Sequence, residues 1–558
     1  MKQSISCWGW GWFLLVPCVA ACGGGGSVEG GTGGSGGQAL QVLETTPADM
    51  ATGVATDVAV SAVFDDALRE TTVTATAFTL QQGQEALQGA VSLAAEQTAV
   101  FTPDNSLVLL ATYTATLTTE VESLTGGTLG ADYEWIFTTR DGLWGTAELI
   151  QTDSEGPAGF PQIAIDTGGN AVAVWHQSDV TRSKIWSSRY TPTGGWGIAQ
   201  RIDGIIPNDA RSPRVAVDPS GNALAVWVQS DNTQDSIWAN RYTPDGGWEI
   251  AELIERDDAG AASPAQVAID PRGNALAVWV QVDGNRNIWA NRYTPLDGWL
   301  VAQRVDGNNP NNGLGPQLAI DPDGNALAVW VQVEDTAIHV WSNRYTPGGG
   351  WRVPGRIEEN NAGTPQGPQV AIGPSGNALA VWAQDDGGGV NVVWSNRYTS
   401  TDGWETPERI DGNNSSEASI PQVAIDSNGN ALAVWLQSDN AGNRIWANRH
   451  TLTGGWGIAE PIRTDVAGPS ASNLDLAVDP RGNALIVWTQ GGQAGSDTVW
   501  SNRYTLTGGW GIAESVRTDN TQRAFVPQVA IDPSGNALVV WHQDSSSFFE
   551  NIWSSRFE

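Results

Sequence analysis

The chain has 558 residues, with 61 acidic and 28 basic side chains, and therefore carries a formal net charge of -33. A surface this acidic repels nucleic acid and anionic lipid headgroups, which excludes polyanions as the main class of partner. The length indicates more than one domain, and no stretch after residue 21 is apolar for long enough to cross a membrane.

The first 21 residues have the features of a secretory signal, because Lys2 precedes an apolar stretch at residues 12–16 and small residues follow. The segment leads into Val-Ala-Ala-Cys, with the cysteine at position 22. This run resembles the lipobox of bacterial lipoproteins, in which the chain is cut before the cysteine and the cysteine is acylated. The resemblance implies lipidation at Cys22, so that a lipid anchor alone holds the protein to the membrane. The alternative is an ordinary cleaved signal in which the cysteine occurs by chance.

Residues 22–38 follow as a glycine- and serine-rich tether, a composition typical of flexible linkers. Gly23, not aspartate, stands after the cysteine, as in outer-membrane lipoproteins. The resemblance therefore implies an outer-membrane lipoprotein that faces the periplasm or the cell surface. Cys7 and Cys18 fall within the signal, so the mature chain would keep only Cys22 and would form no internal disulfide.

Residues 39–140 alternate apolar and polar side chains in about seven short runs broken by turn residues, which predicts a β-sandwich. The segment resembles the bacterial Ig-like domain of S-layer and other surface proteins. The pieces that carry the resemblance are, in order, Thr46-Pro47-Ala48-Asp49, Gly53-Val54, Phe101-Thr102-Pro103, Tyr113-Thr114 and Trp135-Ile136-Phe137-Thr138-Thr139. Such domains act as spacers or adhesive modules, and we expect Trp135 to lie in the core.

Residues 141–558 repeat one unit eight times around a Gly-Asn-Ala-(Leu/Val)-x-Val-Trp core, with a spacing of 51 to 53 residues. The tryptophans that close this core are Trp175, Trp227, Trp279, Trp330, Trp382, Trp435, Trp488 and Trp541. A second series is Trp186, Trp238, Trp289, Trp341, Trp394, Trp446, Trp500 and Trp553, and a third is Trp144, Trp196, Trp248, Trp299, Trp351, Trp404, Trp456 and Trp510. A period of this length indicates a solenoid, a propeller or an array.

Each copy contains four strand candidates, which in the second copy are residues 214–218, 223–229, 237–243 and 248–254. Turn residues separate the first two strands and the last two. Four antiparallel strands in about 50 residues are typical of a propeller blade. The second strand is apolar on both faces, as a strand packed between neighbouring blades requires.

The Asp-Pro-x-Gly-Asn hairpin between the first two strands resembles the hairpin of NHL-type and related bacterial propeller repeats, in which these strands are the innermost and the second. Gly373 replaces the turn aspartate in the fifth copy. An alanine lies in the middle of the first strand in all eight copies, which suits a crowded innermost position. We therefore predict an all-β protein with an N-terminal Ig-like β-sandwich followed by an eight-bladed β-propeller at residues 141–558.

The repeat region begins with a lone outer strand at residues 144–150 and ends after a third strand at residues 552–557. If the two pair, the first strand completes the last blade, closes the ring and removes both open sheet edges. We expect this pairing.

The loops after the second strands and before the first strands vary in every copy, so a binding surface is expected on the side where they gather. Gln follows each core tryptophan by two residues, and a carboxylate follows by four in six copies. These carboxylates are Asp179, Asp231, Asp283, Glu334, Asp386 and Asp439. As functional groups they would form a polar ring that binds glycans or, through oxygen ligands, calcium. The alternative, which we favour, is structural, with Gln satisfying backbone groups and the carboxylates capping loops.

An arginine recurs three residues after each tryptophan of the second series. It either binds an anionic ligand or makes contacts between blades. The four histidines show no metal spacing, and no nucleophile elbow, Walker loop or paired-carboxylate motif occurs. We therefore predict a monomeric, non-enzymatic binding or scaffold module whose loop side contacts glycan or protein. Calcium is the one cofactor that the loop carboxylates would suit, and no other is expected. The alternative is a glycan-acting hydrolase or lyase with catalytic groups in the loops of particular blades.

Overall fold

The computed structural model describes residues 38–558 apart from short segments. The segments outside the description are 152–155, 180, 205–207, 231–232, 256–259, 308, 310, 335–336, 360–361, 413–415, 440–441, 463–469, 492–496, 518–521 and 546–549. The predictions for the signal, Cys22 and most of the tether lie outside the described residues, as does Asp231. The described chain divides into two compact units, of which the first comprises residues 38–49, 59–104 and 113–136 and the second comprises the remainder.

The described residues form an all-β protein that contains one short 3-10 helix, Glu70–Thr72, and no α-helix. Before residue 140 the strands are Val42–Thr46, Ala51–Val54, Val60–Phe64, Phe78–Gln82, Glu85–Ala86, Gly89–Ala95, Thr98–Pro103, Thr112–Leu117 and Tyr133–Thr139. The first, third, seventh and sixth of these form one sheet in that order, and the other five form a second sheet. Trp135 is buried against Phe78, with 5.7 Å between ring centroids, which confirms the prediction that it lies in the core.

The repeat region forms eight separate antiparallel sheets, which we number one to eight in chain order. The first strands are Ala158–Ile165, Ala210–Val217, Gln266–Ile269, Gly313–Ile320, Gln366–Ile372, Ala418–Ile425, Ala471–Val478 and Ala524–Ile531. The second strands are Ala171–Ser178, Ala223–Ser230, Ala275–Asp283, Ala326–Glu334, Ala378–Asp385, Ala431–Asp439, Ala484–Gly491 and Ala537–Asp544. The third strands are Ser183–Thr191, Asp235–Thr243, Asn285–Thr294, Ala337–Thr346, Asn391–Thr399, Gly442–Thr451, Asp497–Thr505 and Glu550–Phe557.

The outermost position of each sheet holds very short strands. In sheets one to seven there are two of these, each of two residues, and both pair with the third strand. They are Gly195–Trp196 and Gln200–Arg201, Gly247–Trp248 and Glu252–Leu253, Gly298–Trp299 and Gln303–Arg304, Gly350–Trp351 and Gly355–Arg356, Gly403–Trp404 and Glu408–Arg409, Gly455–Trp456 and Glu460–Pro461, and Gly509–Trp510 and Glu514–Ser515. In sheet eight the outer strand is Glu148–Leu149.

Two strand predictions need correction. The predicted outer strand at 248–254 is interrupted, because the chain turns outward between its two halves and leaves Ile250 90% exposed. The predicted first strand at 214–218 begins earlier, at Ala210, and its register shifts between Arg211 and Arg214. This shift is a β-bulge, which a pattern of alternating side chains does not reveal.

The turn between the first two strands explains why the hairpin forms. The Oδ1 atom of Asp218 accepts hydrogen bonds from the backbone N–H groups of Ser220 and Asn222, at 2.8 and 3.0 Å. Its Oδ2 atom accepts the side-chain amide of Asn222 at 2.8 Å, and Gly221 takes a φ of +79°. One buried carboxylate thus satisfies three donors in a turn that needs a residue without a side chain.

Neighbouring sheets are held together by buried side chains and by hydrogen bonds. Each core tryptophan of a second strand is completely buried, as Trp227 is. The side chain of Asn240 in sheet two donates to the carbonyl of Ile202 in sheet one at 3.0 Å, and equivalent asparagines repeat this bond between later sheets. The first strand of every sheet contacts the first strand of the next, and that of sheet eight contacts that of sheet one.

The predicted pairing between the two ends of the repeat region is present. Glu148 and Leu149 pair antiparallel with Ser554 and Trp553 of the last strand. The contact extends to Trp144, whose ring lies 5.3 Å from that of Phe557. A strand from the beginning of the region therefore completes the sheet formed at its end.

Candidate functional site

The cyclic order of the first strands encloses a space that we call the channel. Side chains of these strands are only partly buried, as expected of residues that line an opening. The hairpins between first and second strands lie at one end, which we call the turn side. The variable loops lie at the opposite end, which we call the loop side, and this is where the predicted carboxylates fall.

Asp179 caps its own loop. Its Oδ1 atom accepts the backbone N–H groups of Thr181 and Arg182 at 2.8 and 2.7 Å, and the hydroxyl of Thr181 at 2.7 Å. These hydrogen bonds stabilise the charged form and lower the pKa of Asp179 to about 2. The structure thus places this carboxylate in the loop-capping role that was the alternative to ligand binding.

Asp386 also interacts with its surroundings. Its Oδ2 atom lies 2.5 Å from a guanidinium nitrogen of Arg409, and its Oδ1 atom accepts the backbone N–H of Gly388 at 2.9 Å. Asp283 is exposed at a strand end and Glu334 is partly buried. The side chain of Asp439 lies outside the described residues, as Asp231 does. No group of three or more His, Cys, Asp or Glu side chains able to hold a metal ion occurs in the described part of the chain.

The recurring glutamine has a partner that the sequence analysis did not identify. In every sheet its Oε1 atom accepts the indole N–H of the core tryptophan two residues earlier, as in the 2.9 Å bond from Trp227 to Gln229. The equivalent bonds start from Trp175, Trp279, Trp330, Trp382, Trp435, Trp488 and Trp541. The glutamine therefore satisfies a buried donor, so its regular recurrence has a packing cause.

The recurring arginines make contacts within and between sheets. The guanidinium of Arg189 lies 5.7 Å from the ring centre of Tyr242 in the next sheet, and that of Arg556 lies 5.6 Å from Tyr190. Arg241 instead pairs with Glu249 of its own sheet at 2.8 Å. These contacts agree with the packing interpretation of this series.

Bulges in the first strands bring a second set of residues to the loop-side mouth of the channel. In seven sheets the bulged residue has a φ between +46° and +59°, a region of backbone conformation that residues other than glycine rarely adopt. We call these residues the rim. They are Phe160, Ser212, Gly315, Gly367, Ile420, Asn473 and Val526. Apolar rim residues occupy sheets six, eight and one, whereas sheets four and five carry glycine, so the mouth is asymmetric.

The rim is most elaborate where sheets eight and one meet. Phe160 is 54% exposed, and its ring centroid lies 5.3 Å from that of His176 and 6.0 Å from that of His542. Phe525 packs on the far side of His542 at 5.3 Å. An exposed aromatic ring is thus held between imidazoles at the channel mouth. We call these four residues the aromatic patch.

Hydrogen bonding and burial fix the charge of the patch. The backbone N–H of Phe160 donates to Nδ1 of His542 at 3.2 Å, so neutral His542 carries its proton on Nε2. Burial lowers the pKa of His542 to about 4, and it also lowers the pKa of His176. Both imidazoles are therefore neutral near pH 7. The Nδ1 atom of His176 is buried and has no hydrogen-bond partner among the described residues.

The sequence contained a signal for this patch. The positions of His176 and His542 hold apolar residues or threonine in the other six copies, for example Val228 and Val280. The two histidines lie 366 positions apart in the chain, so only the pairing of the last sheet with the first brings them together. The bulge also had a sequence signal that the predictions did not use, because a proline follows the bulged residue in six of the seven sheets, as Pro161 follows Phe160.

Comparison with known proteins gives a family for one segment and distant similarities for the rest. Residues 37–139 match the bacterial Ig-like domain family, which supports the predicted identity of the first domain. No curated protein matches the sequence. The chain is similar to the BP39L lectin from Burkholderia pseudomallei, with 14% identity over 64% of this chain and 99% of that chain and a TM-score of 0.45.

Two further solved structures show similarity of the same order. A polysaccharide lyase of family PL25, an ulvan lyase, has 10% identity over 60% of this chain and 90% of its own, with a TM-score of 0.43. A Dyadobacter fermentans protein of unknown function has 13% identity over 75% of this chain and 99% of its own, with a TM-score of 0.37. Among the described residues, no helix is long and apolar enough to span a lipid bilayer.

Proposed function

We propose that this protein is a membrane-tethered, non-enzymatic glycan-binding lipoprotein whose second unit is an eight-bladed β-propeller. Eight antiparallel sheets whose first strands are in cyclic contact, the last of them completed by the strand Glu148–Leu149, support the propeller. The Ig-like segment at 39–140 then serves as a spacer, and residues 22–38 serve as the tether. The glycan would bind at the loop-side mouth of the channel.

The observation that carries this proposal is the exposed ring of Phe160, held on a bulge between two neutral histidines. The flat C–H face of a sugar stacks on an aromatic ring, and its hydroxyl groups pair with neutral imidazole and amide groups. His176 has a buried nitrogen without a partner, and Asn473 of the rim is exposed. The patch therefore combines an apolar platform with hydrogen-bonding groups, as ligand sites commonly do.

The bulge itself adds support. A non-glycine residue at positive φ costs of the order of 1 kcal/mol, so such strain is retained where it serves a purpose. The rim positions Gly315 and Gly367 show that the fold accepts glycine at this point of the strand. A phenylalanine at position 160 thus serves no evident need of the backbone.

A glycan array, run with and without calcium, tests the proposal. The wild-type protein should bind at least one glycan saturably, and Phe160→Gly should weaken that binding by about tenfold or more, because loss of a stacking contact costs about 1–2 kcal/mol. Ile250→Ser, which changes an exposed apolar side chain on the outer edge, is the matched control and should bind as the wild type does. A requirement for calcium would assign the loop carboxylates a ligand role.

Two outcomes would contradict the proposal. Absence of binding to every glycan would leave protein scaffolding as the better explanation, and turnover of a bound polysaccharide would establish the hydrolase or lyase alternative. The lipid anchor is tested separately by labelling cells with radioactive palmitate. Label should enter the wild type and not Cys22→Ser, and equal labelling of both would refute lipidation at this cysteine.

A further inference from the structure

The first strands of the eight sheets form a ring of equivalent positions, which lie two residues beyond the rim residue in the seven sheets that have one. Six sheets place glutamine at this position, whereas sheets two and seven place Arg214 and Asp475 there. The glutamines are Gln162, Gln266, Gln317, Gln369, Gln422 and Gln528. All eight residues are partly buried. The eightfold repeat is therefore broken at two points by opposite charges at the same height of the channel.

Arg214 and Asp475 do not lie on neighbouring strands, because sheets eight and one lie between sheets seven and two. Their side chains can approach each other only across the channel. Burial raises the pKa of Asp475 to about 6, whereas hydrogen bonds from the backbone of Val529 and Leu476 and the charge of Arg214 oppose this rise. Burial likewise lowers the pKa of Arg214, and Asp475 opposes that effect.

The strand backbone holds both groups in place. A guanidinium nitrogen of Arg214 donates to the carbonyl of Pro213 at 3.3 Å, and Gln162 and Gln528 make the same backward bond to their own prolines. The Oδ2 atom of Asp475 accepts the backbone N–H of Val529 in sheet eight at 2.8 Å. Arg214 thus uses one donor on the protein and keeps its others available.

Among the described residues, Arg214 forms no ion pair, with Asp475 or with any other carboxylate. A desolvated cation without a direct partner is costly, and glutamine at the same position in six sheets shows that the fold does not require it. The other six sheets place glutamine amides, which both donate and accept, at the equivalent positions. The two opposite charges match a small molecule that carries an acceptor at one end and a donor at the other.

The channel is open toward the turn side. A cavity of about 390 Å³ lies there, lined by the last residues of first strands and by the prolines of the hairpins, among them Ile320, Pro322, Ile425 and Ile531. Three residues of extended strand separate the apolar residues that line this cavity from the ring that contains Arg214 and Asp475, a distance of about 10 Å. This cavity lies on the side of the channel opposite to the rim.

We propose that the channel holds a second binding site, between Arg214 and Asp475, for a small carboxylate that carries a neighbouring hydroxyl or ammonium donor. The ligand's carboxylate accepts from the guanidinium of Arg214, and its donor group pairs with the carboxylate of Asp475. The glutamine amides satisfy the remaining polar atoms. This site is independent of the glycan site proposed for the rim, because no member of the aromatic patch belongs to it.

Isothermal titration of the full chain with five probes tests the proposal. Glycolate, glycine and glucuronate carry both groups, acetate lacks the donor and glucose lacks the carboxylate. At least one of the first three should bind saturably, one per chain, and about tenfold or more tighter than acetate and glucose. Which of the three binds distinguishes a hydroxy acid, an amino acid and an acidic sugar.

The repeat supplies its own control variants. Arg214→Gln and Asp475→Gln restore the residue found in six other sheets, so both should keep the wild-type unfolding temperature and lose at least about tenfold in affinity. Phe160→Gly should bind the probe as the wild type does. The proposal is wrong if none of the first three probes binds, if either glutamine variant binds unchanged, or if Phe160→Gly abolishes binding.

Discussion

His542 shows how one buried side chain couples the candidate site to stability. Its folded pKa of about 4 lies below the ordinary value of 6.5, because burial disfavours the imidazolium form. The unfolded chain therefore takes up the proton more readily than the folded chain does. The stabilisation that comes from this group is present above pH 6.5 and is lost as the pH falls from 6.5 toward 4.

We expect His542→Val to flatten the pH dependence of stability in this window. Valine stands at the equivalent position in sheets two to four, as at Val228, so the sheet should accommodate it. The wild type should lose up to about 3 kcal/mol of unfolding free energy between pH 6.5 and pH 4 through this group, and the variant should lose correspondingly less. Denaturant unfolding, followed by tryptophan fluorescence at several pH values, measures the difference.

Other titratable groups near His542 also affect the pH dependence of stability. His176 has a lowered pKa for the same reason and acts in the same direction, while burial raises the pKa of Glu550, with Asp544 adding to this and Arg523 opposing it. The wild type and the variant share these groups, so the comparison isolates the contribution of His542 together with its interaction with His176. Parallel stability profiles for the two proteins would contradict the assignment of a depressed pKa to His542.

At the residue scale, the sequence identified the unusual positions better than it identified their roles. The sequence predicted that Trp135 lies in the core and that the second strands are packed on both faces, and Trp135 and the core tryptophans of those strands are buried. The glutamine after each core tryptophan was found, but its partner was not, because a bond between residues i and i+2 on a strand requires a specific rotamer. The exposure of Phe160 depends on a positive φ, which the type of residue does not predict.

At the scale of the strand, the Asp-x-x-Gly-Asn turn is the element that the sequence predicted most completely. Proline, glycine and asparagine each restrict the backbone in a known way, so the turn follows from local chemistry. The interruption of the outer strands was not predicted, because Gly-Trp-x-Ile has the alternation of a continuous strand. A short, broken edge strand protects an exposed sheet edge from pairing with other chains. This benefit depends on what surrounds the strand, so the residue pattern of the strand alone does not predict it.

The turn aspartate should be the residue on which each hairpin depends. In sheet three, Asp270 accepts the backbone N–H groups of Arg272 and Asn274 and the side chain of Asn274, all at 2.8 or 2.9 Å. Asp270→Ala leaves three buried donors without this acceptor, so we expect a loss of about 1–3 kcal/mol in unfolding free energy. Thermal and denaturant unfolding measure this loss.

Sheet five provides the comparison for this experiment, because it has Gly373 in place of the aspartate and still forms the hairpin. Gly373→Ala removes no acceptor, although a methyl group would lie 3.1 Å from a side-chain carbon of Ile425 and a small shift is needed. We expect this variant to cost less than Asp270→Ala. A larger loss in Gly373→Ala would show that packing, and not the carboxylate, stabilises the turn.

At the scale of the second unit, the number of sheets followed from counting the repeats, and the pairing of its ends followed from the order of strands. The position of each charge around the channel did not follow, because Arg214 and Asp475 are distant in sequence and their proximity depends on cyclic closure. Closure also creates the junction of sheets eight and one, on which the aromatic patch depends. The pairing of the two ends therefore matters for both proposed sites.

Deleting residues 550–558 should test this dependence. The deletion removes the third strand of sheet eight, so Glu148–Leu149 loses its partner and the second strand Ala537–Asp544, which is apolar on both faces, becomes an open edge. An exposed apolar edge strand pairs with other chains, so the truncated protein should self-associate and unfold at a lower temperature than the wild type. Light scattering and thermal unfolding measure the two effects, and the control is Glu558→Ala, which keeps the backbone that pairs with Leu143. If the truncated protein had the size and unfolding temperature of the wild type, sheets one to seven would be stable without closure. The junction of sheets eight and one would then have to be maintained by the rim contacts alone.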